Sequence, residues 1–154
     1  MDIELNLMNE TVEHAWPAPA LCVSSQVPVR EVFQRLKDNK TGAVLVCRDE
    51  VLVGIFTERD ALKIMATSGN LDAPIESVMV RNPVTVPATE KVGIAIQKMS
   101  SGGYRNLPIV DERGRPKGVL QVAGIVHYLV EHFPKSIYNL PPVTHHVMQQ
   151  REGS

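Results

Sequence analysis

Gly54-Ile55-Phe56-Thr57-Glu58-Arg59-Asp60 ends an apolar strand-like run, Val51 to Phe56, and opens a helix-like run, Ala61-Leu62-Lys63-Ile64-Met65. A glycine ahead of such a turn removes a Cβ and lets backbone come close to a neighbour or a ligand. Thr57 stands where a helix N-cap belongs, and Asp60, three residues on, belongs to the same first turn. The helix start behind them offers unpaired N–H groups and the positive end of the dipole, which suits a phosphate. A carboxylate repels a phosphate, so Asp60 is better matched to a neutral diol such as a ribose, whose hydroxyls it can accept. The same residues also read as a capping box with Asp in place of Glu or Gln. On this stretch alone, both readings stay open.

Working outward, the surroundings of this stretch occur twice. Leu21-Cys22-Val23 is a short apolar strand, and Val84-Thr85-Val86 is its counterpart after Asn82-Pro83. Each is followed by a polar break and a helix. Val29, Val32, Phe33 and Leu36 fall at i, i+3, i+4 and i+7, as do Val92, Ala95, Ile96 and Met99. Each set makes one apolar stripe. Two hairpins follow the helices. The first runs Ala43-Val44-Leu45-Val46, a turn at Arg48-Asp49-Glu50, and Val51 to Phe56. The second runs Leu107-Pro108-Ile109-Val110, a turn at Asp111-Glu112-Arg113-Gly114, and Gly118-Val119-Leu120. Charged residues and glycine between apolar runs mark such hairpins. Each copy closes with a helix, Arg59 to about Ala66 and Gly124 to Phe133, the second with a predicted stripe of Val126, Leu129, Val130 and Phe133 and a stop at Pro134. From Ala43 onward the copies align without gaps: 118 − 54 = 64, and the same offset carries Asp60 onto Gly124.

A duplicated β-α-β-β-α unit is an architectural signal. Neither small sheet can bury enough apolar surface alone, so the two are expected to pack against each other. The fold class predicted is α+β: a lead-in over 1–19, one unit over 20–78, a second over 79–134, and a tail over 135–154.

The 154 residues suit one compact domain or two halves sharing a core. A formal net charge of -1, with Lys and Arg scattered, leaves no footprint for nucleic acid or a membrane surface. Cys22 and Cys47 lie in apolar runs and read as buried free thiols. A single disulfide stays open, but two cysteines do not make a secreted scaffold. The acidic start Met1-Asp2-Ile3-Glu4 is no signal peptide, and no run reaches the ~18 apolar residues of a spanning helix. The default expectation is a cytoplasmic protein. Trp16 is expected to pack on the body, and Ile137, Tyr138 and Leu140 to order part of the tail.

Gly-hydrophobic-x-Thr-x-x-Asp on a duplicated unit resembles a pair of cystathionine-β-synthase (CBS) domains, the Bateman module. The residues that carry the resemblance are Gly54 to Asp60, Asn82-Pro83-Val84-Thr85-Val86, and Tyr104-Arg105-Asn106-Leu107-Pro108-Ile109-Val110-Asp111. It covers Ala20 to about Phe133. In such pairs adenine nucleotides bind in clefts between the units. The resemblance then implies that Thr57 and Asp60, beside Gly54, take the ribose, and that Val84, Thr85 and Val86 line the adenine. It implies that Tyr104, Arg105, Asn106, Leu107 and Pro108 complete the wall. Arg59 and Arg105 carry donors without acceptor capacity, which suits phosphate oxygens. The plainer readings are a solvated Arg59, an Arg105 paired with an acid, and a Tyr104 in the core.

Two departures matter. The family often has His after the Arg, where this chain has Asn106. The second motif keeps Gly118 but has Gln121 for Thr and Gly124 for Asp, and its facing wall, Lys40-Thr41-Gly42-Ala43, lacks an Arg. One competent nucleotide site and one degenerate cleft are expected.

No Gly-x-Ser-x-Gly elbow, no Cys with a visible base partner and no phosphate-binding Gly-Lys loop is present. His14, His127, His132, His145 and His146 lack metal-ligand spacing. The expectation is a non-catalytic regulatory module that senses AMP, ADP, ATP or S-adenosylmethionine and needs no cofactor. It would be a homodimer acting through a separate effector protein, without nucleic acid or membrane. The alternative is a ligand-free interaction or scaffold module with a degenerate cleft.

Overall fold

The computed structural model describes residues 9–15 and 17–132. Trp16, Phe133, Pro134 and the tail lie outside the described residues, so the expectations placed on them are not addressed further. The first unit runs β1 (Cys22–Ser24), α1 (Val29–Asn39), β2 (Ala43–Arg48), β3 (Val51–Thr57) and α2 (Glu58–Ala66). After β4 (Val80–Arg81) the second unit runs β5 (Val86–Pro87), α3 (Val92–Gly102), β6 (Asn106–Val110), β7 (Pro116–Gln121) and α4 (Val122–His132). The α+β duplication read from the sequence is therefore present.

The first sheet has the order β1-β2-β3-β4 and the second β5-β6-β7. In each, a parallel pair leads into an antiparallel hairpin. The first hairpin turns through Asp49 and Glu50 at φ 52 and 69, the two left-handed positions that suit a two-residue connection between twisted strands. The second turn is longer. Gly114 takes φ 81, and the Asp111 carboxylate accepts the backbone N–H groups of Arg113 and Arg115.

Strand alternation sorts the apolar side chains to two faces. On the helix side of the first sheet Val23, Val44, Val46 and Phe56 pack with Val29, Val32 and Leu36 of α1. Phe33 lies partly buried over Phe56, ring centroids 6.2 Å apart. On the helix side of the second, Leu107, Ile109 and Leu120 pack with Val92, Ala95 and Met99 of α3 and with Ile125 and Tyr128 of α4. On the facing sides, Ala43, Leu45 and Ile55 of one sheet meet Val119 of the other, with Leu52 at the margin. The sheets do pack together, and a hydrogen bond from Leu52 N–H to the Gly114 carbonyl ties the hairpins at one end.

Two features depart from the sequence expectation. In α4 the predicted stripe is turned: Ile125 and Tyr128 are buried, while Val126 is 54% exposed. The helix is apolar on more than one side, so periodicity alone does not say which side meets the sheet. The segments preceding each unit also cross over. Val12 and Ala15 fill the core of the second unit, with Val12 N–H bonded to the Glu90 carbonyl and Val92 N–H to the Glu10 carbonyl. Ile75 and Met79 fill the core of the first unit, and β4 pairs with β3. Ala18 likewise pairs with Val119 of β7. Each lead-in therefore completes the neighbouring unit.

Candidate functional site

Thr57 ends β3 in an extended conformation, φ -114 and ψ 171, and caps α2. Its Oγ1 accepts the Asp60 N–H at 3.4 Å and donates to Asp60 Oδ2 at 3.0 Å. Asp60 Oδ2 also accepts the Thr57 N–H at 2.9 Å. The capping box is real, and it occupies one carboxylate oxygen. Asp60 Oδ1 takes no hydrogen bond from the described residues, and Asp60 lines a cleft of about 610 Å³. That volume falls within the range typical of small-ligand sites, ~300–1,000 Å³.

The cleft runs between the two units. Thr57, Glu58, Arg59 and Asp60 form one side, with Gly42 and Ile55 behind them. Val80, Asn82, Pro83 and Val84 come from the connector, and Gly103, Tyr104, Arg105, Asn106 and Pro108 from the second unit. Asn82 sits at φ 48 with its N–H on the Val53 carbonyl, so it turns the chain out of the first sheet towards the second; asparagine tolerates that region better than most residues. Gly103 ends α3 in the left-handed conformation, φ 71, and delivers Tyr104 and Arg105 to the rim. Tyr104 is 38% exposed and folds its ring over Gly102, so it is not a core residue. Neither Arg59 nor Arg105 is paired with an acid among the described residues. Asn106 accepts a hydrogen bond from Gln121 Nε2 at 3.2 Å.

Eight predicted residues therefore line one cavity: Thr57, Arg59, Asp60, Val84, Tyr104, Arg105, Asn106 and Pro108. Four do not. Gly54 faces Met79, whose Cγ lies 2.8 Å from where a Cβ would stand, so its missing side chain makes room for core packing. Thr85 is half-buried and gives its carbonyl to Lys98 Nζ at 3.4 Å. Val86 and Leu107 are fully buried under the helices. For Leu107 the reason is the strand period: Leu107 and Ile109 point to the helices, Asn106 and Pro108 to the cleft. The same period marks Ile55 as a companion of Thr57, a signal that sequence reading missed. Glu58, Val80 and Gly42 carried no comparable signal, because only the meeting of the two units puts them on one wall.

Those two interleaved units match the family model for the CBS domain twice, over residues 7–67 and 75–131. The chain belongs to the CBS-domain family. Both matches begin in the lead-ins that cross over. Among solved structures, a CBS domain protein from Pyrobaculum aerophilum complexed with AMP superposes with a TM-score of 0.71 at 24% identity, covering 79% of this chain and 99% of that one. A CBS domain pair in complex with 5′-methylthioadenosine and S-adenosylmethionine superposes with a TM-score of 0.70 at 25% identity, covering 77% and 98%. A CBS-domain-containing protein of Arabidopsis thaliana is 32% identical over 130 residues, 82% of this chain and 24% of that protein. An uncharacterised 17.7 kDa protein of Acidianus ambivalens is 28% identical over 71% of this chain and 66% of its own length. The chain thus spans 66% of one of these relatives and 24% of the other. These solved neighbours are CBS proteins that hold adenosine ligands. Among the described residues no helix is long and apolar enough to cross a membrane, and no cluster of His, Cys, Asp and Glu could hold a metal.

Proposed function

We propose that this CBS pair senses an adenosine-containing ligand, AMP, ADP, ATP or S-adenosylmethionine, in the cleft between its units and does so without catalysis. The observation that carries the reading is the polar inventory of that cleft. Asp60 keeps one carboxylate oxygen clear of the capping box, in a cleft lined also by two guanidiniums that pair with no acid among the described residues, with space for a purine nucleoside. Asp60 and Thr57 take the ribose hydroxyls, Arg59 and Arg105 the anionic end, and Val84 with Tyr104 and Pro108 the base. A ligand held by both units favours one relative orientation of them, and only such a difference between states can be passed on. The output goes to a separate effector protein.

Leu62 and Met65 of α2, 71% and 62% exposed, and Val122 and Val126 of α4 give the helices outward apolar surface. A homodimer formed through these helices covers it.

Thermal shift with each of the four ligands tests the sensor. Ligand at a hundred times its Kd adds about 2.7 kcal/mol. No shift with any of them supports the alternative, a protein-interaction scaffold. One observation favours that alternative: Asp60 Oδ2 and Asn106 are already engaged within the protein.

A further inference from the structure

The chain's only two cysteines sit at the end of the first sheet away from the cleft. The sequence suggested buried thiols; instead Cys22 is exposed and Cys47 half-buried. They lie on neighbouring parallel strands, Cys22 opposite Leu45 and Cys47 opposite Ser24. Both side chains therefore fall on the same face, two positions apart along the strands. The two cysteines influence each other's ionisation, Cys47 lowering the Cys22 thiol and Cys22 raising that of Cys47. Around them is an open depression of about 860 Å³, reached also by Arg48 from the first hairpin and Lys117 from the second. Arg48 is held by Glu76 at 2.7 Å, whereas Lys117 pairs with no acid among the described residues.

We infer that Cys22 and Cys47 are a redox modification site, closing to a disulfide under a peroxide oxidant and reopening under a dithiol. Exposure selects the attacking sulfur, Cys22 being exposed and Cys47 half-buried, and the ionisation agrees: Cys22 is drawn down to about 7 by its Cys47 neighbour, while Cys47 is pushed up by Cys22 and by burial. The Cys22 thiolate attacks one peroxide oxygen, the O–O bond breaks, and hydroxide leaves and is protonated to water. The Cys47 thiol then attacks the Cys22 sulfenic sulfur. The S–S bond forms, the S–O bond breaks, and the Cys47 proton departs with the second water. The peroxide gains the two electrons that the thiols lose. Closure brings the two sulfurs to a bond of ~2.05 Å. The movement falls on β1, a three-residue strand at the sheet edge and the easier of the two to displace. No residue of the nucleotide cleft takes part, so this inference stands or falls apart from the sensor reading.

The test is intact mass and thiol titration of the full chain after one equivalent of hydrogen peroxide. The expected result is loss of both thiols, a mass lower by two hydrogens, no covalent dimer, and full recovery with dithiothreitol. In Cys47→Ser, oxidation stops at a Cys22 sulfenic acid that dimedone traps. In Cys22→Ser, with its fold checked by circular dichroism, reaction with peroxide at pH 7 slows by roughly tenfold or more, since an ordinary thiol is only a few per cent ionised there. Covalent dimers, over-oxidation of Cys22 with Cys47 left free, or equal reactivity of the two single variants would overturn the inference.

Discussion

Position for position, the two units share a backbone but not a polar endowment. Thr57 and Asp60 cap α2, and the aligned residues of the second unit are Gln121 and Gly124. Both junctions bring the first helical N–H back to a carbonyl at the start of the preceding hairpin strand: Glu58 to Gly42, and Val122 to Arg105. The turn itself therefore needs neither the threonine nor the aspartate. Gln121 instead spends its amide across the strands on Asn106, a residue of the first cleft's wall. One copy kept a carboxylate at the cleft, and the other lent its polar side chain to bracing the opposite rim. Duplication supplies two equivalent scaffolds, and local side chains decide which polar groups each one presents.

The strongest way to break the equivalence of the scaffolds is in their cores. Phe56 and its counterpart Leu120 are both fully buried. Phe56→Ala is expected to cost about 3–5 kcal/mol and Leu120→Ala about 2–5 kcal/mol, read by denaturant unfolding. If the units fold as one body, both variants unfold in a single transition. Two separate transitions would mean that the crossed lead-ins do not couple the halves.

The site asymmetry is sharpened by Asp60→Ala. It removes the whole ligand-induced gain, about 2.7 kcal/mol at a hundred times Kd, while costing the unliganded chain about 1 kcal/mol as a lost cap. An apo loss several times larger, with the ligand shift retained, would make Asp60 a structural residue only. The converse variant carries Thr41→Arg, Gln121→Thr and Gly124→Asp. It is expected to raise calorimetric stoichiometry from one ligand per chain to two.

A smaller contrast lies in the paired glycines. A Cβ at Gly54 meets the buried Met79 side chain, with Cγ at 2.8 Å, whereas one at Gly118 meets the Ala18 carbonyl oxygen at 3.1 Å. Gly54→Ala is expected to cost about 1–3 kcal/mol, and Gly118→Ala less. Met79→Ala should be partly compensated by Gly54→Ala in a double-mutant cycle, a coupling that no residue offers at Gly118.

The smallest effect is in pH. Glu76 is held below its ordinary value of 4.5, first by the Gln26 amide and then by Arg48 and Arg81. Asp111 is held below its ordinary 3.8, first by the Arg115 N–H and then by the Arg115 side chain and the Arg113 N–H. Both folded values are depressed, so the stability they add is fully present above the ordinary values. It is lost as pH falls through the lower folded ones. Glu76→Gln and Asp111→Asn should each flatten the acid limb of a Tm-against-pH curve, one per unit, by slightly lowering the neutral plateau while leaving the most acid end almost unchanged.

Much of this was legible in the sequence because it is local. Thr57 and Asp60 belong to one helical turn, so three-residue spacing placed them together before any fold was known. The stripes Val29-Val32-Leu36 and Val92-Ala95-Met99 are buried as their periods require. Gly54, Val86 and Leu107 were less legible. Their neighbours in the motif line the cleft, but a strand turns alternate side chains to opposite faces, and these three belong to the core.

The chain's own order of residues determined that there are two β-α-β-β-α copies, which stripe of each copy's first helix is buried, and that only the first carries the threonine and carboxylate. Those properties depend on side-chain period and on contacts a few residues long. Tertiary structure alone decided that Val12 serves the second core and Ile75 the first, that Arg105 stands across a cleft from Asp60, and that Cys22 and Cys47 share one face of neighbouring strands. Each of these joins residues far apart in sequence. Which distant partners meet depends on how all the apolar faces can be buried at once, and no local pattern encodes that.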